Sequence, residues 1–182
     1  MNLLYFCHMT VDHSTSEPGL DRVDREILAE LQRDGRLSVA ELARRVHLTA
    51  TPCFERVRRL ERSGFIKDYA ARLDPERLGF AVLAFIEVSL DRTTPDVLER
   101  FRLAVHALDE VMECHMVAGG FEYLLKVRAV STSAFRRFLA ERLNAIPGLQ
   151  RTHTYLVLEE VKATTALPLA ARGPRHGRSR RG

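Results

Sequence analysis

The chain has 182 residues, enough for one medium domain or two small ones, and 46% of them are hydrophobic, the usual share for a globular protein that buries a core. No apolar run is long enough to span a membrane, and MNLLYFCHM at the start lacks the basic opening and small-residue cleavage site of a secretory signal. It is either an extension or leaves Met9 as the start. Three widely spaced cysteines, Cys7, Cys53 and Cys114, argue against a disulfide framework and for a reducing cytoplasm.

The net charge is +4, but it is concentrated at one end. The last fifteen residues hold Arg172, Arg175, Arg178, Arg180 and Arg181 and no acid, so the rest carries 23 of the 28 basic residues against all 24 acidic ones. Any affinity for a polyanion must come from a local face or from that tail.

Residues 1–19 turn polar after Met9 and cluster Ser, Thr, Pro and Gly, the composition of a disordered extension. Leu20 to Arg33 is predicted as a first helix, with Leu20, Val23, Ile27, Leu28 and Leu31 on its buried face and Asp21 near its start. Asp34-Gly35 ends it. Val39, Leu42, Ala43 and Val46 mark a second, short helix, and His47-Leu48-Thr49 breaks the pattern. Thr49 is expected to cap a third helix with its hydroxyl, Pro52 falls in that helix's first turn, and Gly64 follows its end.

In the third helix Cys53, Val57 and Leu60 share the inward face. Thr51, Glu55, Arg58 and Arg62 lie opposite, with Arg59 beside them. A small hydroxyl at the start and arginines on the flank suit a helix that meets base edges and phosphates, and periodicity alone allows a solvated charged helix equally well.

Phe65 to Tyr69 alternates weakly and is a candidate strand, broken by Asp74-Pro75. Leu78 to Leu90 is a long Val-, Ile- and Phe-rich run, a buried strand. A helix from Thr94-Pro95 to Leu108, strands over Val111 to Val117 and Tyr123 to Val130, a helix over Ser133 to Leu143 and a last strand over Arg151 to Val161 follow. The order βαββαβ is the ferredoxin-like arrangement, an antiparallel sheet with helices on one face.

Two long stretches carry a resemblance. Leu20, Asp21, Asp24, Ile27, Leu28, Leu31, Gln32, Asp34, Gly35 and Arg36 fit an LDxxDxxILxxLQxDGR opening, and residues 38–66 contain TPCFERVRRLERSGFI. Together they resemble the helix-turn-helix of the Lrp/AsnC family of transcription regulators, and the match extends to about Lys162. The resemblance implies an α+β protein: a winged or three-helix helix-turn-helix domain over 20–66, a hinge strand or linker over 67–77 that pairs subunits, and a ferredoxin-like domain over 78–163 for ligand binding and oligomerisation. Residues 164–182 are left as a disordered basic tail.

It further implies a cytoplasmic, nucleoid-associated regulator with no cofactor, bound to double-stranded DNA. Dimers would assemble further, often to octamers, and an amino-acid effector such as leucine would bind between dimers. The DNA-contacting residues would be Ser38, Thr49, Thr51, Pro52, Glu55, Arg56, Arg58, Arg59 and Arg62. One departure lies in the turn, where relatives often have glycine and this chain has His47, so a positive φ would cost some stability.

Gly119 and Gly120 would let a small ligand approach the backbone, Glu122 would take its ammonium, and Met116 and Leu124 would flank an aliphatic side chain. Read from the residues alone, the same loop is better taken as a plain hairpin turn with a solvated glutamate. By the resemblance the effector region comprises Met116, Gly119, Gly120, Glu122, Tyr123, Tyr155, Leu156 and Val157. The usual family pattern is Gly-Asp-x-Asp-Tyr, and here Gly120 and Glu122 replace both aspartates. If that change ends effector binding, the chain is an effector-independent architectural DNA-binding protein. No nucleophile elbow, phosphate loop or repeated metal-ligand spacing points to an enzyme or a metal site. The arginine-rich tail either adds sequence-independent affinity for DNA or is solvated without a role.

Overall fold

A computed structural model describes residues 19–169, which fall into two compact units: 19–71 with 164–169, and 72–163. The expectations for residues 1–18 and 170–182 lie outside the described residues.

The first unit holds three helices, α1 (Arg22–Arg33), α2 (Val39–Arg45) and α3 (Ala50–Arg62), and no strand among its described residues. Asp21 caps α1 in a reciprocal box: its carboxylate accepts from the Asp24 N–H (2.7 Å), and the Asp24 carboxylate accepts from the Asp21 N–H (3.1 Å). Ser38 Oγ caps α2 through the Glu41 N–H (3.2 Å). The cap expected from Thr49 is absent: Thr49 sits at the N-cap position of α3, but its hydroxyl accepts no backbone bond. Its carbonyl accepts the Cys53 N–H instead, and Pro52 removes one of the donors a cap would have had to satisfy. Ile27, Leu42, Cys53 and Leu60 are fully or almost fully buried at the centre. His47 does take a positive φ of 55°, in the turn between α2 and α3.

Residues 65–69 form no strand within the chain. A strand needs a partner to take its hydrogen bonds, and the described residues of this unit offer none. Tyr69 is held by its hydroxyl, which donates to Glu61 (3.0 Å). Burial together with that carboxylate pushes the phenol up to about 12. The other difference is at the far end: 164–169, expected as tail, lie against this unit rather than beyond it.

The second unit contains β1 (Val82–Leu90), α4 (Pro95–His106), β2 (Val111–Met116), β3 (Tyr123–Ala129), α5 (Thr132–Arg137), a π-helical continuation Phe138–Leu143, and β4 (Leu149–Leu156). The sheet order is β2-β3-β1-β4, antiparallel throughout, as the ferredoxin-like arrangement requires. β1 begins four residues later than the apolar run because Asp74 caps a turn, accepting the Glu76 and Arg77 N–H groups, and Gly79 has φ 81°. β4 ends five residues early, at Leu156.

Register sorts the side chains. Ala84, Ile86 and Val88 oppose Val127, Leu125 and Tyr123, and all face the helices. Phe101, Val105, Phe135, Phe138 and Leu143 close the core from the other side. Among the described residues of this unit, no helix covers the opposite face of the sheet. It carries Glu113 bonded to Lys126 (3.0 Å) and to His115 (3.0 Å), which hold its carboxyl below the usual range despite some burial, and Tyr155 donating to Glu87 (3.1 Å). Cys114 and His115 fall on opposite faces, opposite Leu125 and Leu124.

Candidate nucleic-acid interface and effector region

Helix α3 presents the face that its spacing predicts. Cys53, Val57 and Leu60 are buried, while Thr51, Pro52, Glu55, Arg58 and Arg62 are exposed. Among the described residues neither Arg58 nor Arg62 is paired with a carboxylate. Arg58 lies 5.6 Å from the centre of the Phe54 ring, and Arg62 Nε donates to the Arg58 carbonyl (3.3 Å). Both guanidiniums therefore keep most of their donors for an external anion. Phe54 itself is 43% exposed, an apolar surface beside the Arg58 guanidinium. Sequence reasoning passed over it, although a position next to Cys53 on a helix is a quarter-turn from the buried stripe.

Arg56 and Arg59 are placed differently from the expectation. Both turn back toward α1 and share Asp24, which is only 1% exposed: Arg56 Nη1 lies 2.8 Å and Arg59 Nη2 2.6 Å from Asp24 Oδ1, and Arg56 also reaches Asp21 (2.6 Å). Bonding to Asp21 and Asp24 raises the Arg56 guanidinium further. For Asp21, burial pushes its carboxyl up, but the Asp24 N–H and Arg56 together bring it below its ordinary value. These two arginines tie α3 to α1 through Asp24, each with one guanidinium nitrogen.

On α2, Glu41 bonds both Arg44 and Arg45, chiefly through Arg44, and its carboxyl is held down at about 2. Ser38 Oγ is occupied as an acceptor and free as a donor, which suits a phosphate oxygen, and the Thr49 hydroxyl is uncommitted.

In the second unit the β2–β3 loop is clamped to the end of β1. Glu122 Oε2 accepts from the Leu90 N–H (2.9 Å), the Glu122 N–H donates to the Val88 carbonyl (3.0 Å), and the Glu122 carbonyl accepts from Val117. The carboxylate expected to meet a ligand ammonium is thus partly committed inside the chain. Tyr123 is not a loop residue at all: it is 3% exposed, with its ring centre 4.5 Å from that of Phe101, and burial raises its phenol. The alternation over 123–129 carried that signal, since Tyr123 has the parity of Leu125 and Val127. Gly119 and Gly120 are exposed, have ordinary φ, and would place an added Cβ in open space. Neither position needs glycine for its own backbone.

Met116, 50% exposed, lies opposite Tyr123, next to this loop. Tyr155 and Leu156 are exposed on β4, opposite Phe85 and Ala84, and the Val157 N–H donates to Leu83. The loop meets β1 at Val88 and Leu90, so along the strand the two groups are some 17 Å apart, on different sheet edges. One chain does not bring them into one pocket.

Two family models match the chain: "Winged helix-turn-helix DNA-binding" over residues 20–67 and "Lrp/AsnC ligand binding domain" over 83–167. The leucine-responsive regulatory proteins of Salmonella typhimurium and Escherichia coli K12 are each 52% identical over 161 residues, covering 87% of this chain and 98% of theirs. This chain belongs to the Lrp/AsnC family. It is a DNA-binding transcription regulator of that type, with a helix-turn-helix unit followed by the family's ligand-binding domain. A transcriptional regulator from Neisseria meningitidis, crystallised with L-methionine, superposes with a TM-score of 0.80 at 39% identity, over 83% of this chain and 97% of that one. An AsnC family regulator from Agrobacterium tumefaciens gives 0.79 at 34%, over 82% and 97%. Among the described residues no helix is long and apolar enough to cross a membrane.

Proposed function

We propose that α3 enters the major groove of a specific operator, with Thr51, Pro52 and Glu55 at the base edges and Arg58 and Arg62 on the flanking phosphates. The observation that carries this is the division of labour among four neighbouring arginines: Arg56 and Arg59 are bonded inward to Asp24, while Arg58 and Arg62 point outward without a carboxylate. Ser38 and Thr49 hydroxyls add phosphate contacts at the helix starts.

The second unit senses an amino acid, leucine or one of similar size, at the β2–β3 loop. Met116 and the Gly119–Gly120 backbone supply one wall, and a second copy of the chain supplies another. Copies pair through the sheet face that no helix covers, forming dimers and then a larger ring such as an octamer. An effector that binds one assembly better than another shifts the population and changes how many operator sites are held at once. Regulation takes place on chromosomal DNA in the cytoplasm, in keeping with free thiols at Cys53 and Cys114.

A second reading has its own support. With Glu122 bonded to Leu90 and glycine at 120, the loop offers fewer free carboxylate oxygens than a pair of aspartates would, which favours an architectural protein indifferent to effectors.

Arg58→Ala with Arg62→Ala tests the DNA-binding reading. The double variant should lose about a hundredfold in operator affinity at fixed salt, two contacts at about 1.4 kcal/mol each, while the size of the assembly stays the same. Normal binding by that variant would place the interface on another element.

A further inference from the structure

We infer that Phe54 reads thymine: its ring meets the C5-methyl group of a thymine in the major groove and makes α3 selective for an A·T pair at that operator position. The inference rests on the DNA-binding reading above and adds to it the kind of base that the helix selects.

Thr51, Phe54, Glu55 and Arg58 stand at i, i+3, i+4 and i+7, so they form one continuous stripe along α3, and all four are exposed. Phe54 is not part of the buried cluster around Ile27, Leu42, Cys53 and Leu60 that joins the three helices. Stability gives no reason for a ring at this place: it leaves apolar surface in water, and phenylalanine is only a middling helix former. Among the described residues of α3, no other large hydrophobic side chain is exposed. One ring between a hydroxyl, a carboxylate and a guanidinium is too small an apolar patch for a protein interface.

Chemistry narrows the partner further. A phenyl ring has no polar atom, so it cannot read the donors and acceptors on a base edge. The apolar group that marks a base in the major groove is the thymine methyl. The Arg58 guanidinium carbon lies over the Phe54 ring, 5.6 Å from its centre, which covers one ring face and leaves the other face and the edge for a contact. Four residues separate the two side chains, about 6 Å along the helix axis. A methyl contact by Phe54 and a phosphate contact by Arg58 therefore fit within about one helical turn.

Deoxyuridine pairs as thymidine does and lacks only the methyl, so the contact can be removed without touching a hydrogen bond. Full-length wild type and full-length Phe54→Ala are titrated at fixed salt on the duplex from upstream of the coding sequence. This duplex is made once with thymine and once with deoxyuridine at every such position. A random duplex serves as competitor, and circular dichroism checks that the helices are intact. Wild type should bind the deoxyuridine duplex about fourfold more weakly for one methyl contact, and about fifteenfold more weakly if two copies of the chain each make one. Phe54→Ala should bind the thymine duplex about as weakly as wild type binds the deoxyuridine duplex, with no further loss on deoxyuridine.

Equal affinity of wild type for the two duplexes overturns the inference. An equal deoxyuridine penalty in both proteins also overturns it, because the methyl would then act through duplex shape or another residue. Failure of wild type to prefer the thymine duplex over the random competitor sinks sequence-specific recognition by α3 and this inference with it, an outcome distinct from the other two.

Discussion

Asp24→Asn probes the joint on which the orientation of α3 depends. Asp24 is buried, and its carboxylate takes two guanidinium bonds, from Arg56 and Arg59, besides closing the cap of α1. Asparagine has nearly the same shape and keeps an acceptor for the Asp21 N–H, so the substitution removes charge with little change in packing. Removing one partner of a buried ion pair costs about 3–5 kcal/mol when the other is trapped. Here it is not trapped: the Arg56 and Arg59 side chains are 31% and 32% exposed and can turn partly to water. The expected loss is therefore smaller, about 2 kcal/mol, or a factor of about 30 in the opening equilibrium of the helical unit.

With two units in the chain, a single melting temperature would blur this effect, so amide hydrogen exchange is the assay. The Ile27, Leu42 and Leu60 amides should exchange about 30-fold faster in the variant, and those of Leu125 and Val127 in the second unit should not change. Equal protection of the first set in both proteins would refute the claim that Asp24 joins α1 to α3. A uniform rise in both units would show a global effect instead.

Three further outcomes are expected. Gly148 has φ 89°, and an added Cβ would sit 3.1 Å from Val97 Cγ1, so Gly148→Ala should destabilise the second unit by about 2–3 kcal/mol, read from the protection of the Asp91 amide, which donates to the Gly148 carbonyl, and of the Leu98 amide; wild-type protection would refute the strain. Glu122→Ala leaves the Leu90 N–H without its acceptor and should cost about 1–2 kcal/mol, seen as accelerated exchange at Leu90 and Tyr123; an unaffected Leu90 amide would mean the clamp is not formed in solution.

Glu41 has a carboxyl held down at about 2, against 4.5 ordinarily, so its ion pairs contribute stability that is present above pH 4.5 and fades as pH falls toward 2. Glu41→Gln should therefore be less stable than wild type at neutral pH, with the gap closing across that window. A gap independent of pH would rule out the charge as its source.

Much of the architecture could be read from spacing. The i, i+3, i+4 pattern placed Val57 and Leu60 inward, and the run of β and α periods yielded the ferredoxin-like order, because both depend on local geometry that each residue type imposes. The positive φ of His47 was legible through the family resemblance, since relatives often carry glycine at that turn. Asp24 was not. An aspartate three residues into a helix looks like a dipole partner, and its burial depends on Arg56 and Arg59 arriving from more than thirty residues away. Their long side chains can swing to either side of α3, so helical angle alone could not assign them to DNA or to α1.

The effector residues show the same limit. Loop and strand positions could be named one by one, but the pairing register was needed to show Tyr123 facing Phe101 and Tyr155 far along β1 from the loop. The place of 164–169 was hidden by composition, which groups TTALPL with the basic tail; the Gln32 amide bonds to Leu167 and the packing of Leu169 identify it.

The central claim is that this regulator binds DNA through its helix-turn-helix and that an amino acid alters that binding. The most direct measurement is a titration of the purified full-length protein on a duplex from upstream of its own coding sequence, at fixed salt, with and without each amino acid. Binding to this duplex is expected in preference to a random one, with an affinity or stoichiometry shifted by leucine or an amino acid of similar size. Binding unaffected by any amino acid would contradict the sensing claim and leave an architectural protein, and no preference for the upstream duplex would contradict sequence-specific recognition by α3.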